Sequence, residues 1–167
     1  MQSKSMEDVD LAMLSNDERF AVTAERELLA LLAAEPDSLR PYGDRIATFN
    51  WSDARDEAMA WAMLATPEGT APAQVVSAAQ RMVPEAAQIL AGGRIAIIED
   101  MNLDQKVDFL LNTVELASCR REVTQIRLRL QSVGTDSIGE DSAQLFRRAT
   151  SLQRRIQDLE RQLRSTV

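Results

Sequence analysis

The residues of this chain that could do acid–base or metal chemistry are scattered carboxylates, and they lack the companions such chemistry needs. There is no histidine, and Cys119 is the one cysteine. A nucleophile–base triad and a zinc site both require imidazole or further thiolates at defined spacing, so neither is available. Asp8 and Asp10 could share a cation, but two acids in a polar N-terminal stretch are accounted for by solvation. Asp53, Asp56 and Glu57 cluster at an expected helix start, where the positive end of the helix dipole accounts for acids. Gly92-Gly93 is a lone pair that fits a helix stop, and no phosphate-cradling G-x-x-x-x-G-K-S/T loop is present. No catalytic, cofactor-binding or metal-ligating set is therefore assigned, and the chain reads as a non-enzymatic binding module.

Those residues must sit on helices, because the composition offers little else. Apolar residues make up 45 % of the 167, but aromatics only 4 %. The core is left to Leu, Ala, Ile, Val and Met, and the strong helix formers dominate. A net charge of -7 excludes a general nucleic-acid binder, which would carry a basic stripe and a high pI. The charge is uneven. Residues 104–167 hold eleven bases against nine acids, whereas residues 1–103 hold eight against seventeen. A single thiol fits a cytoplasmic setting. No apolar run approaches the ~20 residues that span a bilayer, and the N-terminus lacks the apolar core of a signal peptide.

Along the chain, residues 1–14 read as a polar linker. Ser15 and Glu18 form a capping-box pattern. Phe20, Ala24, Leu28, Leu31 and Leu32 then recur at three and four residues, with Leu29 widening the face, and Pro36 ends the helix. Pro41 and Gly43 break up residues 37–50. Ser52 is placed to cap a helix running to about Leu64, and Pro67 and Gly69 close it. Thr70–Val83 predicts another helix, with Pro84 at the first position of the next. Arg94–Ile98 is strand-like in isolation but has no partner strand, so it reads as buried helix or turn. Tyr42, Trp51 and Trp61 are expected in or beside the core.

From Leu103 to Val133 nothing interrupts the helical pattern, about 45 Å of rod at ~1.5 Å per residue. Its apolar register shifts midway. Val107, Leu110, Val114 and Ala117 form one seam; Cys119, Val123, Ile126 and Leu130 form another, out of phase with the first. After a turn at Ser132–Asp141, Leu145, Ala149, Leu152, Ile156, Leu159 and Leu163 follow at 4, 3, 4, 3, 4, a heptad seam. The expected fold is all-α: a compact helical bundle joined by a long helix to a C-terminal antiparallel helical hairpin. The expected division is 15–118 for the bundle and 119–167 for the hairpin, with helix 103–133 shared. A projecting hairpin should leave part of its apolar seam open to a protein partner. The last-helix arginines (Arg147, Arg148, Arg154, Arg155, Arg161 and Arg164) suit either a solvated face or the carboxylates of a partner.

The segment Glu25–Leu39 (ERELLALLAAEPDSL) resembles the first helix of the C-terminal domain of bacterial DNA primases of the DnaG type. Lys106–Leu130 followed by Ser151–Leu163 resembles the end of that domain, a long helix, a turn and a last helix rich in Leu, Gln and charge. The likeness spans roughly Glu25 to Leu163, through order and spacing rather than one motif. It implies a domain that docks, through its hairpin, on the N-terminal domain of the hexameric DnaB-type replicative helicase and so recruits priming to the replication fork. Leu152, Arg155, Ile156, Leu159, Arg161, Gln162, Leu163 and Arg164 would then form the helicase-facing element. In some members of that family the bundle also receives the acidic tail of the single-stranded-DNA-binding protein, and Arg26 is the candidate here. The resemblance implies no cofactor, no direct nucleic-acid contact and no membrane. This chain would make no primers itself, since the nucleotidyltransferase would be the parent primase. Two departures stand out: the hairpin turn is long, and the chain ends in Ser165, Thr166 and Val167 where basic residues are expected. The alternatives are a helicase-collar-like domain that self-associates in rings, and a coiled-coil scaffold that homodimerises through the terminal seam.

Overall fold

A computed structural model describes residues 16–92, 98–132 and 139–166. The fold is all-α, and no strand occurs among the described residues. The helices are α1 (Asn16–Ala34), α2 (Pro36–Leu39), α3 (Gly43–Ala47), α4 (Ala54–Leu64), α5 (Pro72–Met82), α6 (Ala86–Ala91), α7 (Leu103–Ser132) and α8 (Glu140–Thr166), with a 3-10 turn at Arg40–Tyr42. The polar linker, the Ser15 cap, residues 94–97 of the strand-like run and most of the hairpin turn lie outside the described residues.

Helix α1 buries a wide face through Val22, Ala24, Leu28, Leu29 and Leu32, as its 3-and-4 spacing demands. Phe20, expected in that face, is instead exposed. Pro36 acts as anticipated, since α1 ends at Ala34 and Pro36 opens α2 in the first turn, where its missing N–H costs nothing. Gly43, expected as punctuation, has right-handed helical dihedrals (φ -55°, ψ -45°) and starts α3. The cap of α4 is Asp53 rather than Ser52. The Asp53 carboxylate accepts from the Arg55 amide, while Ser52 is drawn away to a buried Glu25. Pro84 precedes α6 without entering it, and Glu85 occupies the N-cap position. Gly92 follows α6 directly and its amide bonds to the Ile89 carbonyl, as a helix stop should. Ile98 is buried. Tyr42 and Trp51 pack half-buried on the core, whereas Trp61 is 54 % exposed.

The α4–α5 loop is fixed by α2 and the 3-10 turn that follows it. Arg40 donates to the carbonyls of Leu64, Thr66 and Pro67 and to the Thr66 hydroxyl. Asp37 accepts from Arg40 at 2.7 Å and from the Gly69 amide at 3.2 Å. Gly69 has φ +80°, a left-handed conformation that a side chain would strain.

Helix α7 is the element shared by two cores. A capping box starts it: the Asn102 side chain accepts from the Gln105 amide, and the Gln105 side chain accepts from the Asn102 amide. Val107, Phe109, Leu110, Leu111 and Val114 join the bundle core with α1, α4, α5 and α6. Leu116, Cys119, Val123 and Ile126 join a second core with Leu152, Ile156 and Leu159 of α8, and Leu130, Leu145 and Ala149 pack against it. The register shift read from the sequence is thus a change of partner along one helix. Leu163 touches both cores and seats the C-terminal end of α8 against the bundle.

Candidate partner-docking surface

The hairpin α7–α8 is antiparallel, since ion pairs join Glu115 to Arg155 and Glu122 to Arg148. Its seam is closed. Leu152, Ile156 and Leu159 are 4 %, 7 % and 0 % exposed. The sequence led us to expect a seam partly open to a partner; the second seam of α7 covers its centre and leaves Leu130, Leu145, Ala149 and Leu163 half-buried. Of the eight residues assigned to the helicase-facing element, Leu152, Ile156 and Leu159 are interior and shape the arm, and Leu163 is half-buried. Arg155 is engaged within the chain. Its Nε and Nη2 donate to the two carboxylate oxygens of Glu115 at 2.7 and 2.9 Å. Arg161, Gln162 and Arg164 are exposed. Arg161 lies 3.5 Å from Asp158, and Arg164 donates to the Glu160 carbonyl.

The outer surface carries what the seam does not offer. Arg147, Arg154 and Arg161 are all exposed at heptad spacing, which puts them on one stripe of α8 about 10.5 Å apart. On α7, Arg127 and Arg129 are exposed on either side of Leu128. Leu128 and Phe146 are 60 % and 61 % exposed. Exposed Phe and Arg are residue types enriched in protein interfaces, and Arg is enriched in their hot spots. Residues 119–167 hold ten arginines, no lysine and six acids, inside a chain that is acidic as a whole. An open cleft of about 390 Å³ lies where the hairpin meets the bundle, lined in part by Phe49, Gln125, Arg129 and Arg148.

A charge clasp fixes the arm to the bundle. Glu115 of α7 receives Arg155 from α8 and Arg45 from α3, and Arg45 also bonds Asn112 at 2.8 Å. Burial works against the Glu115 charge, but the hydrogen bonds and charges of Arg155 and Arg45 outweigh it and hold the carboxyl below its ordinary range. Nearby, Asn50 donates its amide to Ser118 at 2.6 Å and its side chain to Gln125 at 3.1 Å.

Inside the bundle lies a second polar cluster. Glu25 is fully buried and accepts from the Ser52 amide and hydroxyl and from Arg121 at 2.7 Å; Arg121 also donates to the Asn50 carbonyl. Burial pushes the Glu25 carboxyl up, against the pull of Arg121 and the Ser52 hydrogen bonds. Asp56 is also fully buried, and neither of its oxygens has a hydrogen-bond partner. Burial first, then the neighbouring Asp53 and Glu25, push the Asp56 carboxyl up to about 7. Arg26, the candidate for an acidic tail, is half-buried, and its Nε is enclosed without a hydrogen-bond partner. Cys119 is buried in the hairpin core, where burial and the charges of Glu115 and Glu122 push its thiol up.

Among the described residues no group of three or more His, Cys, Asp or Glu is placed to hold a metal ion, and no helix is long and apolar enough to cross a membrane. The sequence pointed to the heptad seam and to the arginines of α8. It missed Leu128 and Phe146, whose exposure depends on how α7 and α8 rotate against each other. No family model, curated protein or solved structure matches this chain.

Proposed function

We propose that this chain is a non-catalytic docking module that attaches a DnaG-type primase to the DnaB-type replicative helicase, with the α7–α8 hairpin as the docking arm. One observation carries the reading: an arm seated on a bundle leaves Leu128 and Phe146 exposed, each next to exposed arginines in the sequence, while the centre of its own seam is closed. The resemblance of Glu25–Leu39 and of the last two helices to that primase domain supplies the partner. On this reading the contacts shift outward from the seam, to Phe146, Arg147, Arg154, Arg161, Gln162 and Arg164, with Leu152, Ile156 and Leu159 holding them in place. A homodimeric scaffold would need the centre of the seam, Leu152, Ile156 and Leu159, which α7 covers. A collar-like domain would assemble into rings, which a sedimentation measurement detects. A contact with single-stranded-DNA-binding protein through Arg26 is less well supported, because part of its guanidinium is enclosed. A cytoplasmic setting accompanies the proposal.

The test is calorimetric titration of the intact chain into a helicase N-terminal domain, repeated with the Phe146→Ser/Arg154→Glu/Arg161→Glu variant. These positions are exposed, so the hairpin should still fold. Loss of these three anchors should weaken binding by at least about 100-fold, since a single hot-spot truncation costs ~2 kcal/mol or more. Absence of heat with the intact chain at two well-separated temperatures, in a helicase that binds its own primase, would sink the proposal.

A further inference from the structure

The buried cluster between α1 and α4 has a feature that the docking role does not use. Asp56 stands in the third position of α4, fully buried, with both carboxylate oxygens unbonded. The charged groups around it are unbalanced in placement. From α1 come Glu25, which is buried, and Arg26, whose Nε is enclosed but unbonded. From its own helix come Asp53, also buried, and Arg55. Arg55 is committed elsewhere, to Asp53 at 3.0 Å and to Glu85 ahead of α6 at 3.1 Å. Arg121 of α7 is spent on Glu25 and the Asn50 carbonyl. Helix α5 contributes only Arg81, which is exposed. Three acids therefore share a solvent-inaccessible space whose cations are mostly bonded to the other two.

An ionised carboxylate there would be an unsatisfied buried charge, which interiors tolerate only when it is paired. A neutral carboxylic acid would not carry that penalty. We propose that Asp56 is a proton-dependent latch: protonated, it lets α4 pack on α1, and its ionisation loosens the α4–α5 pair from the bundle while the hairpin stays closed. The sign follows from the two reference states. In the unfolded chain the carboxyl titrates in the ordinary range near 4. In the folded chain burial and the neighbouring acids hold its proton into the neutral range. The stabilisation from the bound proton is fully present below the ordinary value and is lost as pH rises through the folded one.

Hydrogen exchange of the intact chain between pH 5 and 8, corrected for the intrinsic pH dependence of exchange, reads this directly. The opening equilibrium of amides in α4 and α5 should rise by about tenfold per pH unit up to neutrality, one proton's worth, and then level off. Amides of the hairpin, 119–130 and 145–159, should show no such rise. In Asp56→Asn the rise should vanish, because the amide cannot ionise. The same rise in Asp56→Asn, a flat profile in the wild-type α4, or an equal rise in every helix would each overturn the proposal. Should Asp56→Asn fail to fold, the carboxyl carbon of Asp56 in the wild-type chain can be followed by NMR. A midpoint in the neutral range supports the latch, and one near 4, the ordinary aspartate value, overturns it.

Discussion

Arg155 of α8 forks onto Glu115 of α7, with Nε and Nη2 each meeting a different carboxylate oxygen at 2.7 and 2.9 Å. The same carboxylate receives Arg45 from α3. One acid in the middle of the shared helix therefore ties the hairpin to the bundle. A bidentate arginine–carboxylate pair is the strongest form of such a bond, and partial burial spares it from full screening.

Glu115→Gln should destabilise the chain by roughly 1–3 kcal/mol, since two partly buried arginines lose their charged partner. The loss should be seen in urea denaturation at neutral pH. Because the Glu115 carboxyl is held below its ordinary range, its stabilisation is present above that range and is lost as pH falls through the lowered value. The difference between wild type and Glu115→Gln should therefore shrink on acidification below about pH 4, near the ordinary glutamate value. An equal difference at pH 7 and at pH 3 would remove the clasp.

Gly69→Ala isolates a backbone effect. A Cβ at Gly69 would meet nothing within 4 Å, yet the residue sits at φ +80°. The expected cost is about 1 kcal/mol, from the left-handed conformation alone. Thermal melts of the two proteins compare this directly. A neutral substitution would mean that the α4–α5 loop readily takes another conformation despite its bonds to Asp37 and Arg40.

Cys119 should resist thiol reagents. It is buried, and its thiol is pushed up by burial and by Glu115 and Glu122. Since the thiolate is the reactive form, labelling in the native state should be at least about 100-fold slower than in denaturant. Fast native labelling would show that the hairpin opens on the timescale of the assay.

The long-range architecture was legible where periodicity encodes it. The two seams of α7 and the single seam of α8 could be paired from spacing alone, because residues three and four apart share a helix face. Local competition was harder to read. Ser52 and Asp53 are adjacent and both are good caps, and the choice falls to Asp53 because Glu25, 27 residues earlier, takes Ser52. The Asn102–Gln105 box stands in the sequence as an N-cap pattern beginning directly before the helix start that periodicity placed at Leu103. Arg40 reaching the carbonyls of residues 64, 66 and 67, and Arg45 reaching Glu115, depend on how helices pack and leave no periodic trace. The same holds for the outer hairpin surface: spacing can mark a stripe of arginines, but only packing decides that Leu128 and Phe146 remain outside.

The step from Val114 to Cys119 has a geometric consequence. Five residues at about 100° each carry the chain some 140° past a full turn. The bundle and α8 consequently approach α7 from different azimuths, and the long helix works as an axle with two loads mounted at different angles. Removing one residue between them would bring Cys119 to a four-residue stride from Val114, with both seams along one line. Helix α8 would then swing toward the side held by α1, and the arm would point elsewhere. The direction in which Arg147, Arg154 and Arg161 face is thus written into the length of a short stretch on another helix.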